Sequence, residues 1–179
     1  MNKGNQSQDT VEMGEEGNVQ TDESEDLAEA MLTAARSVVR TCMQIRSVEA
    51  VLVITDPDYS EIGRALYEAA AEVTDRILMM MMPPSLKEGN EPPTQVADLM
   101  RRQDVILIAT QHSLTHSRAR AIASREGARI ASMPGIDAET FAYGGMTADY
   151  NALQKEISGF NRLLRRRREV RITNDAGTD

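Results

Sequence analysis

The stretch Val51-Leu52-Val53-Ile54-Thr55-Asp56-Pro57 decides the fold. A strand with one wet face alternates apolar and polar side chains. An unbroken apolar run that stops at a polar, proline-containing turn reads instead as a strand buried on both faces, the signature of a parallel sheet. Working outward, Ile62, Leu66, Ala69 and Val73 follow at steps of four, three and four, which draws one helical stripe. Ile77 to Met82 then reads as a second buried strand, with Met79 to Met82 as adaptable core filler rather than a metal-binding tract. Val96, Leu99 and Met100 form a short helix face, Val105-Ile106-Leu107-Ile108 a third buried run, and Ala119, Ile122 and Ala123 another helix face. Arg129 to Met133 is a fourth strand, Leu153, Ile157, Phe160 and Leu164 a further helix, and Val170-Arg171-Ile172-Thr173 a last extended piece. Upstream, Ser24 reads as a helix N-cap ahead of a stripe through Leu27, Met31, Ala35, Val38, Cys42 and Ile45. Cys42 on that stripe reads as a small buried hydrophobe.

Strand and helix in alternation imply βαβ units with right-handed crossovers. The predicted fold is α/β, a three-layer domain with a mainly parallel, doubly wound sheet, preceded by a disordered acidic tail. Length and composition agree: 179 residues, 41% apolar, suffice for one domain with a buried core.

Charge is spread unevenly. Nine of the 28 acidic residues and one of the 20 basic ones fall within residues 1–29, so that leg carries the whole net charge of −8 and the rest is neutral. Residues 1–26 are polar and acidic with almost no large apolar side chains, a composition that cannot offset the entropy of ordering. A single cysteine excludes an internal disulfide, and His112 and His116 are too few for a histidine-rich metal site. The polar, acidic start does not resemble a signal peptide, and no apolar run is long enough for a bilayer span. The expectation is a soluble, cytoplasmic chain that engages neither membrane nor nucleic acid.

All six prolines lie just after strands or around one loop, Pro83 to Pro93, which is long for a strand-to-helix connection. Long loops at strand carboxyl ends are where open α/β sheets place ligands. The turn Thr55-Asp56-Pro57-Asp58-Tyr59-Ser60 has no glycine before Gly63, which disfavours a dinucleotide cradle, and a phosphate-loop lysine is absent. A phospho-receiver is disfavoured as well, because the third strand runs into Thr110, Gln111 and His112 rather than an aspartate. Asp56 reads as a helix-capping or turn residue. The densest polar stretch, Thr110 to Arg120, offers Ser113, Thr115 or Ser117 as a helix cap, with contacts to substrate or a neighbouring domain as the functional alternative. His112 and His116 stand four apart but lack a third ligand and an HExxH pattern. Arg165 to Arg168 reads as a solvated helix end.

Several of these residues, in order, resemble the thermophilic aminopeptidase T family of leucyl aminopeptidase type. They are Val51 to Asp56 with Glu61-Ile62-Gly63, Ala65-Leu66 and Glu68-Ala69-Ala70; Met82-Pro83-Pro84 followed by Glu91-Pro92-Pro93; and Asp104-Val105-Ile106. Ser113-Leu114-Thr115-His116-Ser117 with Ala119-Arg120, Gly127 to Ile136, and Ala176-Gly177-Thr178-Asp179 complete the set. The acidic tail and the methionine run depart from the family pattern. The resemblance implies an amino-terminal domain of a metal-dependent aminopeptidase-like hydrolase that removes N-terminal residues from peptides. A related branch, 2,5-dihydroxypyridine dioxygenase, uses one iron to open a pyridine ring. Both branches place their metal ligands in a carboxyl-terminal domain, so no catalytic or metal-ligating residue carries over to this chain.

Composition gives residues 1–26 as a disordered acidic tail, and the resemblance implies 27–173 as the amino-terminal α/β domain and 174–179 as the start of a second domain missing from this chain. It implies a divalent metal (zinc, cobalt, manganese or iron) in the full-length relatives and none bound here, with the carboxyl-terminal domain, a second copy in a homodimer and a peptide substrate as partners. Candidate cavity or interdomain residues are Thr55, Asp56, Thr110, Ser113, Thr115 and His116. The alternatives are a non-catalytic binding or assembly module and the amino-terminal domain of a dioxygenase-like iron enzyme.

Overall fold

The computed structural model describes residues 16–178, with side chains described from Ser24 onward. Most of the expected acidic tail, residues 1–15, lies outside the described residues. The elements are α1 (Glu16–Ser37), β1 (Val51–Thr55), α2 (Ser60–Ala71), β2 (Ile77–Met81), α3 (Thr94–Met100), β3 (Val105–Ala109), α4 (Arg118–Arg125), β4 (Arg129–Ser132), α5 (Ala138–Tyr143) and α6 (Tyr150–Leu164). The four strands are all parallel in the order β2-β1-β3-β4, in register through Val51, Ile77, Val105 and Arg129.

Every residue of β1 and β3 is buried. Alternate side chains feed two cores. Val51, Val53, Val105 and Leu107 face α1, α2 and α5, where Met31, Ala35, Val38, Leu66, Ala69 and Phe141 complete one layer. Leu52, Ile54, Ile106 and Ile108 face α3 and α4, where Val96, Met100, Ala119 and Ala123 complete the other. This is the three-layer, doubly wound arrangement read from the apolar runs.

Four details differ from the sequence reading. Helix α1 begins at Glu16, so Ser24 lies within it rather than at its cap. Val38–Cys42 forms a π-helical turn in which Met43 N–H donates to Val38 O (2.8 Å). The wider turn rotates the stripe by about one residue: Val39 becomes fully buried and Cys42 is exposed. Strand β2 is an edge, not a buried strand. Leu78, Met79 and Met81 are 53%, 39% and 52% exposed, and only Met82 beyond the strand end is well buried. The segment Val170 to Thr173 pairs with no strand, and Val170 and Ile172 are exposed.

The amino ends of the strands are locked by charge. Glu49 is 3% exposed, and its carboxylate accepts from Arg46 N (2.8 Å), Arg46 Nη2 (2.7 Å), and Arg129 Nη1 (2.8 Å) and Nη2 (3.0 Å). Asp104 accepts from Ala50 N (2.8 Å), joining the starts of β1 and β3. The Arg129 guanidinium, then that of Arg46, holds the Glu49 carboxyl well below the usual carboxylate range. A carboxylate depressed in the folded state contributes stability above its unfolded value, about pH 4.3, and loses that contribution as pH falls toward the folded one. Stability is therefore expected to fall on acidification from about pH 5 to pH 3. Glu49→Gln should lower neutral-pH stability by about 1–3 kcal/mol and flatten that slope, measured by urea unfolding at stepped pH. An unchanged slope in the variant would assign the acid sensitivity to other carboxylates.

Candidate functional site

In the order β2-β1-β3-β4, β1 leads outward to β2 and β3 leads the other way to β4. Their adjacent carboxyl ends form the topological switch point, where open α/β sheets leave a crevice. Asp56 follows β1 at that point and is fully buried. It stands at the N-cap position of the 3₁₀ turn Pro57–Tyr59 and its backbone O accepts from Tyr59 N (3.2 Å), but its side chain makes no capping bond. Instead Oδ2 accepts from Gln111 N (2.8 Å) just beyond β3, tying the two carboxyl ends together. The other oxygen, Oδ1, is buried with no hydrogen-bond partner among the described residues.

Thr55 and Thr110 are buried beside it. Thr55 Oγ1 donates to Asp56 O (3.1 Å), and Thr110 Oγ1 donates to His112 O (2.9 Å). Thr55 also meets α2: a Cβ on Gly63 would lie 3.0 Å from Thr55 Cβ, so the absence of a side chain there lets the helix seat against the strand end. Thr55, Asp56 and Thr110 thus form the floor of the switch point rather than an exposed set of ligand contacts.

Ser113, Thr115 and His116 belong to the loop before α4. Ser113 Oγ donates to Thr115 Oγ1 (2.7 Å), Thr115 Oγ1 donates to Ser132 Oγ at the end of β4 (3.3 Å), and Arg120 Nε donates to Thr115 O (2.8 Å). His116 is exposed at the rim, near Gly89. The cap of α4 is Ser117, whose hydroxyl accepts from Arg120 N (3.2 Å).

Glu88, which no sequence pattern singled out, and Glu91, which the sequence marked only as part of Glu91-Pro92-Pro93, organise this edge. Glu88 accepts from Ser113 N (2.7 Å) and pairs with His112 Nδ1 (3.1 Å), and Glu91 accepts from Arg118 N (2.6 Å) and Ala119 N (3.1 Å). The His112 ring, then the Ser113 N–H, lowers the Glu88 carboxyl below its usual range. Through these contacts the Pro83–Pro93 loop is strapped across the mouth of β3. Glu88 and Glu91 lie 24 to 28 residues from their partners, so only the fold brings them together.

Two openings lie beyond the strand carboxyl ends. A cleft of about 240 Å³ over the switch point is lined by Asp58, Tyr59, Glu61, Gln111, Ile136 and Asp137, among others. A groove of about 380 Å³ runs along the loop between Met82, Pro84, Leu86, Pro93 and Leu114. Among the described residues no three His, Cys, Asp or Glu side chains converge in a way that could hold a metal ion. No described helix is long and apolar enough to cross a membrane.

No family model and no curated protein matches the sequence. The fold is similar to that of 2,5-dihydroxypyridine dioxygenase from Pseudomonas putida KT2440, at a TM-score of 0.63 and 16% identity, over 83% of this chain and 45% of that one. A weaker likeness, TM-score 0.38 and 18% identity, joins 59% of this chain to 26% of pyridoxamine-pyruvate aminotransferase from Mesorhizobium loti and carries no argument. The chain therefore spans less than half the length of either structure. At that identity the likeness to the dioxygenase is one of fold.

The Asp56 contact is testable as a fold element. Asp56→Ala should cost about 1–3 kcal/mol by removing the partner of Gln111 N–H in a part-buried setting, whereas Asp56→Asn keeps an acceptor and should cost less than half of that. Denaturant unfolding of both variants gives the comparison. Equal losses would show that the hydrogen bond is not what joins the strand ends.

Proposed function

We propose that this chain is the amino-terminal α/β domain of a two-domain metal-dependent enzyme of the 2,5-dihydroxypyridine dioxygenase-like kind. In this reading it walls one side of the reaction cavity with its sheet's carboxyl edge. The observation that carries the reading is the common fold over 83% of the chain with less than half of that dioxygenase. The switch-point crevice, and the Glu88 and Glu91 contacts that hold the neighbouring loop, supply the surface in this reading. The described side chains do not assemble a metal site, so the iron such an enzyme is expected to need is held by residues outside them, and no chemical step is assigned to this domain. Its residues shape and shield: buried Asp56 and Thr110 hold the strand ends, while Gln111 lines the cleft beyond them.

A second reading, a metal-dependent aminopeptidase-like hydrolase, is favoured by the ordered motifs Met82-Pro83-Pro84, Ser113 to Ser117 and Gly127 to Ile136. Two measurements separate them. An antibody to this domain should detect, in source cells, a species of roughly twice this chain's length. That species, purified, should consume oxygen with a dihydroxypyridine only when loaded with iron(II). The 179-residue chain alone should turn over neither the ring nor an aminoacyl-anilide with any divalent metal. Anilide hydrolysis by the longer species would move the assignment to the peptidase reading. A native species of this chain's own size would overturn both and leave a non-catalytic binding module.

A further inference from the structure

Helix α6 is amphipathic yet buries none of its residues. Leu153, Ile157, Phe160 and Leu164 recur at steps of four, three and four, which at 100° per residue confines them to a stripe about 60° wide. Leu153, Ile157 and Phe160 are 41%, 57% and 60% exposed, and Leu163 beside them 65%. The helix meets the body at the Val38–Cys42 turn, and the Tyr150 hydroxyl at its start donates to Gly145 O (2.8 Å). Of the 13 exposed large hydrophobics among the described residues, six lie between Leu153 and Ile172. Such a concentration of apolar surface on one stretch marks an interaction face rather than ordinary scatter.

Charge defines what covers it. Arg162 and Arg165 to Arg168 cluster at the end of α6, and among the described residues none of these five is within ion-pair distance of a carboxylate. The occupant must therefore combine an apolar ridge with an acidic rim. With Leu163 included the apolar face spans about 120°, the width of a helix face packed on a protein surface. Val170 and Ile172 continue the exposed surface past the arginines, which calls for an occupant broader than a single helix. The structure sharing this fold is more than twice as long as the portion matched here, which supplies a body of the necessary size.

We infer that the apolar face of α6, with Val170 and Ile172, is the seat of the second domain of the enzyme, whose surface there is apolar with carboxylates opposite Arg162 and Arg165 to Arg168. The inference rests on the two-domain reading above.

Amide hydrogen exchange tests it, run on the protein purified from source cells and on the 179-residue chain in parallel. If the inference holds, amides of residues 153–172 exchange at least about 100-fold more slowly in the longer species, while those of β1 and β3 match in the two proteins. Phe160→Arg in the longer species should remove that protection and leave β1 and β3 unchanged. Equal exchange of 153–172 in a longer species would overturn the docking face and leave the two-domain reading intact. A native species of this chain's size would instead overturn that reading and the inference with it. If the 179-residue chain forms dimers that protect 153–172 and dissociate with Phe160→Arg, the occupant is a second copy and the inference fails.

Discussion

Two adjacent strands that are dry on both faces impose most of this architecture. Every side chain of Val51 to Thr55 and Val105 to Ala109 is buried, so both sides of the sheet must be covered by helices. Parallel pairing then requires each connection to cross a face, which consigns β2 and β4 to the edges. Polar groups of the two central strands can reach water only at their ends. Those ends are where every buried polar side chain of the domain gathers: Glu49 and Thr74 at the amino side, and Thr55, Asp56, Thr110 and Ser117 at or beyond the carboxyl side.

The two ends are finished differently, and the difference separates scaffold from site. At the amino side, the Glu49 carboxylate meets two guanidiniums and a backbone N–H, and Thr74 Oγ1 donates to Glu49 O (3.0 Å). Each charge there is matched, as a purely structural cluster requires. At the carboxyl side, Asp56 keeps one buried oxygen without a partner, and the surrounding loops are long, polar and open to two clefts. A protein keeps such an arrangement at the crevice of the switch point more readily than anywhere else.

What sequence shows and what it hides follow from the same physics. Apolar runs report dehydration, so β1 and β3 were legible from Val51 to Ile54 and Val105 to Ile108 alone. A run cannot say where in the sheet its strand sits: Ile77 to Met82 is as apolar as the others, yet β2 took the edge and left Leu78, Met79 and Met81 partly in water. Cys42 fitted its stripe until a π turn added a residue and rotated it outward. Helix α5, only six residues long, is too short for periodicity to reveal; its signal is local, the Asp137 side chain accepting from Thr140 N at 2.7 Å. Of the site, the polar segment from Thr110 to Ser117 was visible as composition. The Glu88 and Glu91 strap was not, because nothing in an isolated glutamate marks it for a backbone N–H more than 20 residues away.

The exposed apolar residues of β2 and α6 do not mean the same thing. An edge strand of a parallel sheet always shows one side to solvent, and natural proteins blunt it by keeping it short and ending it with proline. Strand β2 is five residues long and runs straight into Met82-Pro83-Pro84, and its exposed methionines are flexible side chains that adapt to partial hydration. That surface needs no partner. Helix α6 has no such excuse: its apolar residues align on one face over the 12 residues from Leu153 to Leu164, and none is buried. Isolated helices of this length are marginal in water, and most helical stability in proteins comes from packing an amphipathic face. A seam with this spacing is stabilised only when something covers it, and its extended basic end then selects a covering surface that is acidic at the rim.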